Sequence, residues 1–330
     1  MFSVFGIGNP LMDYIAYDDF SLLDSLNATP GTMNLVTREQ REGILARIKG
    51  YRNVPGGSCA NTIRGIAWLG RETGIEPPVY AGAVGRDEVG DRYIELLRDL
   101  DIQVRISRKE CETGVSVIIV TPDYERTMFT YLGSCREYGK DDLDVGLLKK
   151  TRYLHTTGYM WDTESQKEAT RLAMEAARAN EVPVSFDLAD PFVVQRYREE
   201  FLEWVPERVD ILFGNREEMA LMLGGRGDDE ELVEQAGAFA PLTVMKVGAK
   251  GCYINREGAV SRAPGVSVEA VDTVGAGDFF AAGFLYGILT EMDTVEAASL
   301  ANRLAAAIVA VEGCNLDEVD RSWVLDKASG

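Results

Sequence analysis

The chain has 330 residues, 46% of them hydrophobic, which is enough for one large α/β domain with a sizeable core. Its 53 acidic and 34 basic residues leave a formal charge of −19, which argues against nucleic acid as a partner because phosphates would be repelled. The five cysteines are scattered with no CxxC pair, and His155 is the single histidine, so neither a zinc site nor a disulfide framework is expected. No apolar run reaches the length of a membrane span, and the first residues run directly into strand-like sequence; a soluble cytoplasmic protein is expected, with no membrane partner.

In chain order, Val4 to Gly8 reads as a buried strand. The segment after it, Gly8-Asn9-Pro10-Leu11-Met12-Asp13, fits two roles. Asn-Pro starts turns, and a carboxylate at the C-terminal end of a parallel strand can accept hydrogen bonds from a vicinal diol. Tyr14 to Val36 is strand-like with polar interruptions and few helix signals. Pro55-Gly56-Gly57-Ser58-Cys59-Ala60-Asn61-Thr62 leads into a helix over Ala60 to Leu69; the Gly-Gly pair suits an ordinary junction or the close approach of a ligand. A strand over Val79 to Val84 and a helix over Val89 to Leu100 follow. Gly114 to Tyr131 reads as a β-hairpin turning at Pro122-Asp123-Tyr124-Glu125, either an edge of the main sheet or a small lid. Arg126 is an exposed turn residue or a charge partner for a transferring phosphate.

Strands are then expected at Arg152 to Thr156, Val182 to Asp187, Val209 to Phe213, Leu242 to Val247 and Gly251 to Asn255. Helices alternate with them at Glu164 to Ala179, Phe192 to Trp204 and Glu217 to Leu223, and two apolar helices, near Gly275 to Thr290 and Thr294 to Val311, close the chain. This alternation predicts a mostly parallel sheet covered by helices on both faces.

The densest chemistry lies in Asp272-Thr273-Val274-Gly275-Ala276-Gly277-Asp278. Small residues opening a helix leave backbone N–H groups and a dipole that attract an anion. Asp278, in the first turn, would be repelled by a phosphate unless a hydroxyl proton lay between them, which suits a general base acting on an alcohol. An N-cap explains one Asp or Thr there, but not Gly-Ala-Gly between two aspartates. Asn215 and Glu218 fit a capping box. In Lys246-Val247-Gly248-Ala249-Lys250-Gly251, Gly248 and Gly251 would admit a nucleotide and Lys246 would reach a phosphate oxygen. Asn302 must satisfy its amide inside an apolar helix, and a ligand is one way to do so. No GxxxxGK[ST] and no GxGxxG after the first strand is present, which argues against P-loop and nicotinamide-dependent enzymes.

The DTVGAGD run resembles the C-terminal motif of the ribokinase-like (PfkB) sugar and nucleoside kinases, and the Gly56 to Asn61 segment resembles their N-terminal motif. The resemblance implies one three-layer α/β/α kinase domain over residues 1–330, with a mostly parallel central sheet and a small β-lid from about 14–36 and 114–131. It implies Asp278 as catalytic base, Gly275, Ala276 and Gly277 as anion hole, and Arg126 on the phosphate. Asn9, Asp13, Gly57, Ser58 and Asn61 would bind the acceptor. Asn215, Lys246, Gly248, Gly251 and Asn302 would bind ATP, Glu218 and Asn215 would hold Mg²⁺ through water, and Asp272 would belong to a K⁺ site. Gly8 to Asp13, Arg126 with Tyr131-Leu132-Gly133-Ser134, and Asp187-Leu188-Ala189-Asp190-Pro191-Phe192 look most like the adenosine kinase branch. Asp187 and Asp190 stand where that branch has uncharged residues. The expected activity is transfer of the γ-phosphate of ATP to a primary hydroxyl of an adenosine-like ribonucleoside or of a sugar, by a monomer or homodimer. The alternatives are a plain carbohydrate kinase (ribose, fructose or a keto-deoxy sugar acid) and a non-catalytic sugar- or nucleotide-binding regulator.

Overall fold

A computed structural model describes residues 1–326 except 72, 124 and 226, so Tyr124 at the expected hairpin turn lies outside the described residues. The first part of the chain forms β1 (Phe2–Ile7), β2 (Leu11–Tyr17), α1 (Phe20–Ser25), β3 (Met33–Leu35), α2 (Arg38–Leu45), β4 (Arg52–Gly56) and α3 (Ser58–Gly70). Then come β5 (Val79–Gly85), α4 (Glu88–Arg98), β6 (Gln103–Lys109), β7 (Gly114–Val120) and β8 (Arg126–Tyr131). The middle holds α5 (Val145–Leu148), β9 (Thr151–Thr157), α6 (Glu164–Arg178), β10 (Val184–Asp187), α7 (Pro191–Arg208), β11 (Ile211–Asn215) and α8 (Arg216–Leu223). The last part is α9 (Asp229–Ala236), β12 (Leu242–Lys246), β13 (Gly251–Arg256), β14 (Ala259–Pro264), α10 (Ala276–Leu289), α11 (Thr294–Val309) and α12 (Arg321–Leu325).

The central sheet has nine strands in the order β14-β13-β12-β11-β10-β9-β1-β5-β6. Pairing is parallel from β12 to β6 and antiparallel through β13 and β14. Because side chains alternate along a strand, β1 sends Val4 into the core under α3, α10 and α11, and Phe5 and Ile7 into the core under α6 and α7. The result is the expected helix–sheet–helix sandwich. α10 is apolar all round because it lies between α3 and α11 and over the sheet.

A second sheet of five strands has the order β3-β8-β7-β2-β4. β7 and β8 form the expected hairpin, and β2 runs parallel to β7. One face packs Tyr14, Val117, Ile119 and Phe129 with Leu22 and Leu23 of α1 and Ile44 of α2. The other face presents Ile118 and Met128 to the cavity described below. The segment read as strand-like over 14–36 is corrected: after Tyr17 the chain turns into α1, where the Asp19 carboxylate accepts from Ser21 N at 2.9 Å. α2, β4, β6 and β14 were not anticipated; β6 and β14 are polar edge strands without clean alternation. Among the described residues, no helix is long and apolar enough to cross a membrane.

Candidate active site

The loop from Asp272 to Gly275 delivers the chain to the start of α10. Gly275 has φ +74°, and a Cβ there would strike Cys314 Sγ, so only glycine fits. Amides in the first turn of a helix lack intrahelical acceptors; Ala276 N makes a long bond to Thr273 O at 3.4 Å, and the next two, at Gly277 and Asp278, are placed to receive an anion. Asp278 is held by α3 on both oxygens: Ser58 Oγ donates to Oδ1 at 2.6 Å and Asn61 Nδ2 to Oδ2 at 3.0 Å. Burial raises the Asp278 carboxyl above the ordinary aspartate value, while these two hydrogen bonds favour the ionised form. α3 itself is capped by Gly57, whose φ of +95° and closeness to Asn9 O leave no room for a side chain.

Asp13, on β2, lies against the backbone of Gly56, so a Cβ on that glycine would overlap its carboxylate. Protein atoms crowd Asp13, and this burial pushes its carboxyl up to about 7; Arg64 and Arg126 pull the other way. Asn9 is committed to the wall: its Nδ2 donates to Tyr159 O at 3.3 Å and its Oδ1 accepts from Gln166 at 2.8 Å. Beyond Asp13 the wall is mostly apolar, with Met33, Leu35, Ile118, Met128, Leu132 and Phe192.

On the far side of Asp278, Asn215 and Glu218 form the capping box of α8, with Glu218 N donating to Asn215 Oδ1 at 2.9 Å. Both Glu218 oxygens accept from Asn215, at 2.7 Å from its backbone and 2.6 Å from its side chain. Burial pushes the Glu218 carboxyl up to about 7, against the pull of Lys246. Lys246 Nζ donates to Asp187 Oδ2 at 2.8 Å and lies 3.2 Å from where a Cβ on Gly277 would sit, beside the anion hole. Burial works against its charge, but Asp187 and Glu218 outweigh it and hold the ammonium above its ordinary value. The Asn302 amide nitrogen donates to Ala263 O at 3.3 Å and Pro264 O at 2.9 Å, and the residue lines the cavity.

A continuous cavity of about 690 Å³ runs through all these regions. Of the residues singled out from sequence, it brings together Asn9, Asp13, Gly57, Ser58, Asn61, Asn215, Glu218, Lys246, Gly248, Gly251, Gly275, Ala276, Gly277, Asp278 and Asn302. Arg126 and Asp272 do not line it. They form a buried ion pair with each other, and the Asp272 carboxylate also accepts from Gly313 N at 2.6 Å and Val274 N at 3.0 Å. Neither residue reaches the cavity lining in this structure: Arg126 leaves Nε and Nη1 buried without a partner among the described residues, and the Asp272 carboxylate is taken up by Arg126, Gly313 and Val274. Sequence reasoning missed Asp187, Ser116 and Tyr159 as wall residues. Asp187 was detectable, since it ends a parallel strand just as Ile7 does before Asp13. His155 is buried away from the cavity; its Nδ1 pairs with Ser185 Oγ at 3.0 Å, and burial lowers it to about 4.

Residues 24–321 match the profile of the pfkB family carbohydrate kinases. The chain belongs to this family. Among solved structures, the adenosine kinase from Sinorhizobium meliloti shares 32% identity and a TM-score of 0.88 over 95% of each chain. A probable sugar kinase from Rhizobium etli CFN 42 shares 31% identity and a TM-score of 0.88 over 95% of this chain and 94% of its own. Probable fructokinase-6, chloroplastic, of Arabidopsis thaliana is 29% identical over 288 residues, 82% of this chain and 73% of the relative. The three layers and second sheet are therefore the ribokinase-like fold, and the PfkB chain is a phosphotransferase of the sugar and nucleoside kinase class.

Proposed function

We propose that this PfkB kinase transfers the γ-phosphoryl group of ATP to the primary hydroxyl of an adenosine-like ribonucleoside. The observation that carries the reading is Asp278: a carboxylate held by Ser58 and Asn61 at the start of α10, in the same cavity as Asp13 and Lys246. The ribose diol donates to Asp13, with Asn61 and Gly57 alongside, and the base lies on the apolar wall of Met33, Ile118, Met128 and Phe192. That wall exceeds what a plain sugar covers, and it favours a nucleoside. The small sheet, which supplies Asp13 and part of this wall, acts as the lid of a single kinase domain.

Asp278 takes the proton of the attacking hydroxyl. The Gly277 and Asp278 amides and Lys246 receive the charge of the transferring phosphoryl group. Gly248, Gly251 and Asn302 line the part of the cavity assigned to the nucleotide. Glu218 and Asn215 fit a hydrated Mg²⁺: their polar atoms are tied to each other at the cavity wall, which leaves water as the bridge. When bound, Mg²⁺ neutralises phosphate charge.

The relatives also support a carbohydrate acceptor, through the fructokinase of Arabidopsis thaliana. The test is ATP turnover against adenosine, other ribonucleosides, ribose, fructose and keto-deoxy sugar acids. Highest kcat/KM with adenosine fits the proposal; highest kcat/KM with a free sugar moves the acceptor to the alternative. No turnover with any of them leaves the regulator reading.

A further inference from the structure

Arg64 does not line the cavity, yet it touches what presents the base. It sits on α3 three residues after Asn61 and is only 6% exposed. Its Nη1 donates to Pro55 O at 2.7 Å and to Asn61 Oδ1 at 2.9 Å, and its Nη2 donates to Cys314 O at 3.4 Å. Its Nε is buried with no acceptor among the described residues. A buried guanidinium with an unpaired donor is a costly choice for a helix whose neighbouring positions are apolar, so packing alone does not account for it.

The chemistry of the partners fixes Asn61. A guanidinium has only donors and stays charged; an ionised carboxylate has only acceptors. An amide between them has one satisfying orientation, with Oδ1 on Arg64 and Nδ2 on Asp278. The reverse orientation would face N–H against N–H on one side and oxygen against oxygen on the other, unless Asp278 took up a proton.

We infer that Arg64 is a positioning residue for phosphoryl transfer: it holds the Asn61 carbonyl and thereby keeps the amide N–H on Asp278, so that the base stays ionised and aimed. This rests on the reading of Asp278 as the base. The other charged and titratable groups facing Asp278 are Asp187 and Lys246 from the strand ends, Cys59 on α3, Asp13 on β2, and Tyr159 and Cys314 from loops. The side-chain hydrogen bonds that favour the ionised Asp278 come from Ser58 and Asn61. Arg64 is also the strongest charge opposing the upward shift of Asp13, so one guanidinium serves both carboxylates of the acceptor site.

The test is the pH dependence of kcat at saturating ATP and nucleoside, which keeps Asp13 occupied. In Arg64→Gln the Asn61 amide is free to turn, and the acid limb moves to higher pH by about one unit, the size expected when a carboxylate loses a hydrogen-bond donor. Arg64→Lys keeps a donor on Asn61 Oδ1 and leaves the limb where the wild type has it. A merely structural role lowers Tm and kcat at every pH without moving the limb, and that result in folded Arg64→Gln overturns the inference. Should Arg64→Gln not fold, Asn61→Asp carries the test. It keeps an acceptor for Arg64 but sets a like charge against Asp278, so the limb must move to higher pH; an unmoved limb overturns the inference. Asp278→Asn, assayed in parallel, separates the two claims. Full turnover there removes the base itself, whereas loss of turnover with an unmoved limb in the other variants removes only the role of Arg64.

Discussion

Lys246 and Asp187 form an ion pair nearly sealed from water, with side-chain exposures of 14% and 4%. Removing one partner of such a pair leaves a buried charge uncompensated, here Asp187 facing Glu218. Lys246→Met should therefore cost about 3 kcal/mol in urea unfolding and lower kcat, because the cation beside Gly277 is gone. Adding Asp187→Asn should restore most of the stability but not the turnover; recovery of both would show that the lysine acts only as a counter-ion. Asp13 offers a second reading at this scale. Its carboxyl sits at about 7, and hydroxyl donors favour the ionised form. Nucleoside binding at pH 7 should thus release up to about half a proton. Calorimetry in two buffers of different ionisation enthalpy measures this; identical heats in both would contradict diol binding at Asp13.

At the scale of elements, catalysis depends on how α3 and α10 meet. Gly275→Ala forces a side chain into a left-handed turn and onto Cys314, which should cost about 2 kcal/mol and shift the first-turn amides of α10. The expected result is a lower urea midpoint together with at least a tenfold fall in kcat, and an unchanged kcat would mean that those amides do not receive the phosphoryl group. Local chemistry made this junction legible in the sequence. Gly-Ala-Gly before an apolar helix, a carboxylate in its first turn, and a strand-end position such as Asn215 carry their meaning within a few residues. What depended on distant partners was not legible. Arg126 and Asp272 meet across 146 residues, and no local pattern encodes that pairing. The second sheet joins separate segments, with β2 parallel to β7 and β4 on its edge, so only its hairpin could be read. α1 is too short to show a helical period, and β6 and β14 are edge strands whose polar residues hide the alternation.

Across the whole molecule, buried acid groups link folding to pH. Asp13 and Glu218 titrate at about 7 in the native state against ordinary values of 3.8 and 4.5, so the native state binds more protons than the unfolded chain between those limits. Their stabilising contribution is complete below about pH 4 and is lost as pH rises through about 7. His155 works in the opposite sense: lowered from 6.5 to about 4, it costs stability only as pH falls below 6.5. Above pH 6.5 the His155 contribution is gone and the raised carboxyls remain, on a chain whose net charge of −19 adds repulsion. The Tm of the ligand-free protein should fall between pH 6.5 and 8 and rise with added nucleoside; a Tm that climbs with pH over that interval would contradict the protonation assigned to these two groups.

The account as a whole stands on a carboxylate that activates an alcohol beside an anion hole, and the formation of adenosine 5′-phosphate from adenosine and ATP by Asp278→Asn tests it most directly. The expected result is a kcat lowered by about 100-fold or more relative to wild type, with adenosine affinity nearly unchanged. Turnover at the wild-type rate in that variant would contradict it.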